Sequence, residues 1–296
     1  MLNYSIIICT YNRVDFLKET IDSLLSHFKD HSNYELLIID NKSTDNTAEV
    51  VKPFLRFPQV RYVLETNQGL SYARNRGIKE AKNDVLIFLD DDIDIEANYL
   101  DICDQIYSDP NTHIVGGKVL PYQSAIPDWM PEQFYYLMSI FDIGNSACYT
   151  QKLMGANYSM RREAVQKIGW YNVELGRKGS NLMGGEEVDY LNRASDLGYR
   201  ILYRPDLIVY HKINNKLNKA YIFDYAYYLG KSERIIDIQR SKARFLAKCV
   251  KAVLMIGLHA VYGFYAPKPK QQTYFKIKQL YSFAYLNLFK ARYSKK

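Results

Sequence analysis

Three consecutive acids, Asp90-Asp91-Asp92, close the apolar run Asp84-Val85-Leu86-Ile87-Phe88-Leu89. Carboxylates this close repel one another unless a cation or a helix N-terminus compensates them. Capping uses one acid or two, and Asp94 and Glu96 already stand at the helix expected to begin near Glu96. A hard divalent cation fits better, because Mg²⁺ takes one or two carboxylates and fills its shell with phosphate oxygens. A second acidic group, Glu186-Glu187, follows Gly184-Gly185 at the start of a helical pattern. Acids there offset the helix dipole, but the paired glycines favour close approach of a ligand. A carboxylate within hydrogen-bond reach of a substrate hydroxyl can then act as general base. His211 closes the strand-like run Leu207-Ile208-Val209-Tyr210, where a lone histidine is ordinarily structural. Trp129 and Trp170, the two tryptophans, offer faces suited to the C–H surface of a sugar, with core packing as the alternative.

The elements that must position these groups read as an α/β alternation. Strands are predicted over 5–9, 35–40, 61–64 and 84–89, and helices over 14–28, 45–55 and 71–81. Continuous β-branched runs separated by helices mark a parallel sheet covered on both faces. In such sheets the ligand lies beyond the carboxyl ends of the strands. Those ends are Thr10-Tyr11-Asn12, Asp40-Asn41, Glu65-Thr66-Asn67 and Asp90-Asp91-Asp92, all polar and none glycine-rich. No GxGxxG, GxxxxGK[ST] or GxSxG occurs at them or elsewhere. Residues 116–160 mix aromatics, Pro and Gly and are expected to cover the open end of the sheet.

Charge is divided along the chain. Residues 1–211 carry 21 Lys and Arg against 29 Asp and Glu, whereas residues 212–296 carry 18 against 3. A basic tail on an acidic body predicts an anionic partner, either a membrane surface or a nucleic acid. The four cysteines, Cys9, Cys103, Cys148 and Cys249, form no CxxC pair, which speaks against a zinc ribbon or a disulfide framework. With no basic leader at the start, a reducing cytosol is expected. The longest uncharged apolar run, 252–266, would reach about 22 Å as a helix, short of a hydrocarbon core of roughly 30 Å. The tail is therefore expected to lie in a membrane interface. Its apolar residues would be 252–266 and then Ile277, Leu280, Ala284, Leu288 and Ala291. Tyr262, Phe264, Tyr265, Tyr274, Phe275, Tyr281 and Tyr285 would sit at the headgroup level. Packing on the catalytic domain, or on a second subunit in a homodimer, is the alternative.

Four stretches occur in order: Ser5 through Arg13, Ile39 through Asp45, Asn67-Gln68-Gly69 through Ala73-Arg74-Asn75, and Phe88 through Asp92. The set resembles the family-2 inverting glycosyltransferases of the GT-A fold and covers about residues 4–211. The resemblance implies an α/β fold, Rossmann-like, with a mostly parallel sheet flanked by helices and a basic helical C-terminal extension. A catalytic domain is expected over 1–215, with a nucleotide-sugar half to about 95 and an acceptor half over 96–215, followed by a helical tail over 216–296.

It further implies that Thr10, Tyr11 and Arg13 line a nucleotide base and that Asp40 accepts from a pyrimidine N3–H. Asn67 and Arg74 would sit near the base and the phosphates, and Asp90 and Asp91 would be on the donor side. Asp92, with Asp90 and His211, would hold Mg²⁺ or Mn²⁺. Glu187 stands where the family ordinarily has its final Asp, the base, with Glu186 beside it. The implied partners are a nucleotide-sugar donor, expected to be UDP-linked, and a glycan or lipid-linked acceptor receiving a hexosyl or N-acetylhexosaminyl group. The expected setting is polysaccharide assembly on the cytoplasmic face of the cell membrane, with no nucleic acid bound. The motif QxxRW of processive synthases is absent, which favours one sugar per encounter. A sugar-1-phosphate nucleotidylyltransferase of the same fold, a nucleic-acid-binding protein and a catalytically silent nucleotide-sugar binder are the rival readings.

Overall fold

The computed structural model describes residues 2–288. Ala291 and the rest of 289–296 lie outside the described residues. Two compact units are present, one built from 1–123, 140–174 and 186–212, the other from 124–139, 175–185 and 213–296. The segments 124–139 and 175–185, assigned from sequence to the catalytic part, thus join the helical tail in the second unit.

The first unit grows from β1 (Tyr4–Thr10), whose side chains alternate between two cores. Ile6 and Ile8 face one layer, where Leu17, Ile21 and Leu24 of α1 (Val14–His27) pack. Ile7 faces the other. β2 (Tyr34–Asp40), β3 (Val60–Leu64) and β4 (Val85–Leu89) complete a parallel set in the order β3-β2-β1-β4. The helix expected over 45–55 is instead α2 (Thr47–Val51) followed by a 3₁₀ turn over Lys52–Arg56. Pro53 lacks the N–H that would continue an α-helix. α3 (Leu70–Glu80) starts at Gly69, whose φ of 147° is open only to glycine.

Beyond β4 the structure departs from the expected pattern. A three-residue strand, β5 (Ile93–Ile95), ends just before Glu96, near which a helix is predicted to start, and α4 (Tyr99–Tyr107) begins three residues beyond it. Asp94 and Glu96 are therefore not caps: Asp94 accepts from Ser23 Oγ and Ile95 N, and Glu96 from Tyr210 Oη. Within 116–160, the presumed cover of the open end, β6 (Ile114–Pro121), β7 (Cys148–Thr150) and β8 (Asn157–Arg161) are strands of the same sheet. α5 (Arg162–Ile168), α6 (Glu186–Asp196) and β9 (Ile201–His211) follow. β8 runs antiparallel to β4 and β6, while β9 is parallel to β6 and antiparallel to β5 and β7, so the sheet is mixed.

In the second unit, α7 (Lys219–Arg240), α8 (Lys242–Tyr265) and α9 (Pro269–Tyr285) pack as a helical group. Asn218 and Ser241 cap α7 and α8 by accepting from Tyr221 N and Arg244 N. Ile277, Leu280 and Ala284, expected at a membrane interface, are buried within this group, as is Tyr285. The exposed apolar face belongs to α8, where Val250, Leu254, Val261 and Phe264 are 57–83% exposed. Residues 252–265 of the run read as too short to span are the end of a longer helix of about 36 Å. Among the described residues, Lys242–Tyr265 is the one helix long and apolar enough to cross a membrane.

Candidate active site

The acids after β4 meet His211 because β5 pairs antiparallel with the end of β9. That register sets Ile93 opposite His211, and Lys212 N donates to the Asp92 carbonyl at 2.9 Å. His211 Nε2 consequently lies 3.1 Å from Asp92 Oδ1 and 3.3 Å from Asp90 Oδ2. One ligand atom from each of the three lies within 4.8 Å of the others. Asp92 and His211 are fully buried, while the Asp90 side chain is 34% exposed, so the group opens on one side. Two carboxylate oxygens with one imidazole nitrogen are a donor set that suits Mg²⁺ or Mn²⁺. The structural reading of His211 therefore gives way to membership of this group.

Arg13 does not stand open toward a base. Its guanidinium reaches Asp91 Oδ1 at 3.2 Å and pairs with Asp92 Oδ2. Burial works against the Arg13 charge, but Asp91 and then Asp92 outweigh it and hold the group protonated. Thr10 Oγ1 donates to Asp91 Oδ2 at 2.7 Å, so Thr10 likewise supports an acid. Burial pushes the Asp91 carboxyl up, with Asp92 adding to the rise and Arg13 opposing it. Tyr11 is half-buried at the end of β1.

At the neighbouring strand ends, Asp40 is 3% exposed and accepts from Tyr62 Oη at 2.6 Å and from Ser43 N at 2.8 Å. The latter bond holds the turn after β2; the N-terminus of α2 is served by Asp45, which accepts from Thr47 N. Asn67 is exposed and donates to Glu65 Oε1 through both its backbone N and its Nδ2. Two side chains missed in the sequence tie these turns together. Asn12, at a φ of 52°, accepts from Thr44 N at 2.7 Å, and Asn41 accepts from Gly69 N at 2.6 Å while donating to the Asn67 carbonyl. For Asn12 the positive-φ tolerance of Asn is the available signal.

Arg74 is neither a solvated charge nor open to phosphate. At 3% exposure it joins α3 to α6, with Nη1 at 2.8 Å from Glu186 Oε1 and Nη2 at 3.0 Å from Glu187 Oε1. Its guanidinium also lies over the rings of Tyr158 and Tyr171. Burial disfavours its charge; Tyr158, Glu187 and Glu186 together reverse that and keep it protonated. Burial and then the adjacent Glu187 push the Glu186 carboxyl up, against the pull of Arg74. Glu186 is thus sealed in, whereas the Glu187 side chain is 20% exposed. Gly155, unnoticed in the sequence, leaves room for this pair: a Cβ there would collide with Glu187 Oε1 and lie 2.6 Å from Arg74 Nη2.

The two tryptophans fall in different units. Trp170 is 57% exposed, which removes the core-packing reading for it, and its carbonyl accepts from Arg193 Nη2. Trp129 belongs to the second unit, where Lys219 Nζ lies 5.6 Å from its ring centroid.

A parallel nucleotide-binding-like half, a mixed remainder and an acidic cluster with histidine at the strand ends define a GT-A glycosyltransferase fold. The model of glycosyl transferase family 2 matches residues 5–169, and the chain belongs to that family. A glucosyl-dolichyl phosphate glucuronosyltransferase from Haloferax volcanii is 26% identical over 246 residues, 80% of this chain and 78% of the relative. Glycosyltransferase AglE from the same organism is 26% identical over 210 residues, covering 70% of this chain and 66% of the relative. Among solved structures, mannosyltransferase PcManGT from Pyrobaculum calidifontis, in complex with GDP-Man and Mn²⁺, superposes with a TM-score of 0.66. It covers 97% of this chain and 87% of its own at 16% identity, which shows the shared fold. Glycosyl transfer is the class of reaction, ahead of the nucleotidylyl transfer that the same fold could host.

Proposed function

We propose that this protein is an inverting glycosyltransferase that moves a hexosyl or N-acetylhexosaminyl group from a UDP-linked donor to a hydroxyl of a glycan or lipid-linked acceptor. The observation that carries the reading is the convergence of Asp90, Asp92 and His211 at the carboxyl end of β4. These three would hold Mg²⁺ or Mn²⁺, which when bound supplies Lewis-acid neutralisation of charge on a departing diphosphate. Asp40, at the end of β2, is the residue read as the acceptor for a pyrimidine N3–H.

Glu187 takes the acceptor proton. It is the more exposed member of the acid pair, and Arg74 Nη2 fixes one of its oxygens at 3.0 Å. The acceptor oxygen forms its bond to the anomeric carbon as the bond from that carbon to the diphosphate oxygen breaks. The proton passes to Glu187 and the electron pair leaves with the nucleotide. Direct displacement turns an α-linked donor into a β-linked product. A panel of nucleotide sugars with proton NMR of the product tests this: a β-linkage from an α-linked donor supports it, and an α-linkage overturns it.

The second unit is read as the attachment to the cytoplasmic face of a membrane. Residues 240–296 contain 13 Lys and Arg and no Asp or Glu, and α8 carries the exposed apolar face. Each basic residue near an anionic surface contributes about 1 kcal/mol. The name of the first relative, with its dolichyl phosphate, agrees with a membrane-borne acceptor. Sedimentation with liposomes should show binding that needs anionic lipid, falls with salt and is lost on truncation at about Asp237. Indifference to lipid charge would sink the peripheral attachment.

A further inference from the structure

The helical unit contains a cavity of about 510 Å³ that no step of the proposed transfer uses. α7, α8, α9 and the 3₁₀ turn Glu132–Met138 supply its lining. Lys251 and Lys278 stand on this lining, and among the described residues no carboxylate lies within ion-pair distance of either. Lys248 shares the wall but is already engaged by Glu233 and Asp237. His259 is 6% exposed, lines the same cavity, and its Nδ1 has no hydrogen-bond partner among the described residues. Met255, Leu137 and Ile277 give the cavity an apolar side.

We propose that this cavity binds the phosphate-bearing head of a membrane lipid, with Lys251 and Lys278 on the phosphate oxygens and His259 as a further polar contact. Charge complementarity is the first argument. The carboxylate on the lining, Glu233, is paired with Lys248, so Lys251 and Lys278 repel each other there, and a phosphate would relieve them with charge-assisted hydrogen bonds. Burial lowers the Lys278 pKa and Lys251 lowers it further, with Glu233 opposing both. The second argument is the company the cavity keeps. α8, which contributes Lys251, Met255 and His259, also bears Val250, Leu254, Leu258 and Val261 exposed, a surface suited to acyl chains and not to a free ion. The inference deepens the membrane reading above and rests on it for the source of the lipid.

Calorimetric titration of the full chain distinguishes the sources, using monomeric dihexanoyl phosphatidic acid, dihexanoyl phosphatidylcholine and inorganic phosphate as probes. Phosphatidic acid is expected to saturate one site per chain, at least about tenfold tighter than either comparison probe. Lys251→Gln with Lys278→Gln should weaken it by about tenfold or more. The surface pair Lys242→Gln with Lys268→Gln, which removes the same charge, should leave it within about twofold. Lys251→Arg with Lys278→Arg should retain binding, which separates loss of charge from loss of fold. Non-saturable binding, equal affinity in the Gln pocket pair, or phosphate binding as tightly as the lipid overturns the proposal. Monomeric lipid bound by a chain that ignores liposomes would contradict the membrane reading while supporting the cavity.

Discussion

Asp92→Ala is expected to reduce turnover at least about 10³-fold, because a ligand to the phosphate-neutralising cation is worth several kcal/mol in the transition state. The side chain is fully buried, with His211 Nε2 on one oxygen and Arg13 on the other. Its removal leaves each neighbour with another carboxylate: Asp91 for Arg13 and Asp90 for His211. The chain should therefore fold while losing Mn²⁺-dependent nucleotide binding. Steady-state rates, a Mn²⁺ titration and a thermal melt check this together. A near-native rate in a folded Asp92→Ala protein would show that the group is not a metal site.

Glu187→Gln should keep donor binding and lose about 10²- to 10⁴-fold in transfer rate. Gln preserves the shape and still meets Arg74, but cannot accept a proton. Glu186→Gln is the informative companion. Glu186 is sealed against Arg74 at 2.8 Å, so its replacement should disturb that buried contact more than the chemistry. Donor KM and kcat for both variants separate the roles. Were Glu186→Gln crippled and Glu187→Gln normal, the base would be the buried acid; were neither affected, the motif would be only a helix start.

The half of the fold that positions the acids was legible because its strands are continuous buried runs. Ile6-Ile7-Ile8 and Leu36-Leu37-Ile38-Ile39 need both faces covered, and only a parallel sheet between helices does that. β5 and β7, of three residues each, are too short for any period to show. β5 nevertheless brings His211 to Asp92, so resemblance could suggest the metal group while residue spacing alone could not reach it. The arginines failed for a different reason. Charge and position were visible in Arg13 and Arg74, but their partners lie 78 to 113 residues away and depend on sheet order and helix placement. The tail misled through periodicity: Ile277, Leu280 and Ala284 form an apolar stripe that packs on neighbouring helices, while the exposed stripe lies on α8. Periodicity reports that a face is apolar and is silent on what covers it.

Consumption of nucleotide sugars by the full chain, with Mn²⁺ and then with EDTA, tests the central claim most directly. At least one nucleotide sugar should be consumed in Mn²⁺, fall to background in EDTA and recover when Mn²⁺ or Mg²⁺ is restored in excess. An undiminished rate in EDTA would contradict a cation held by Asp90, Asp92 and His211.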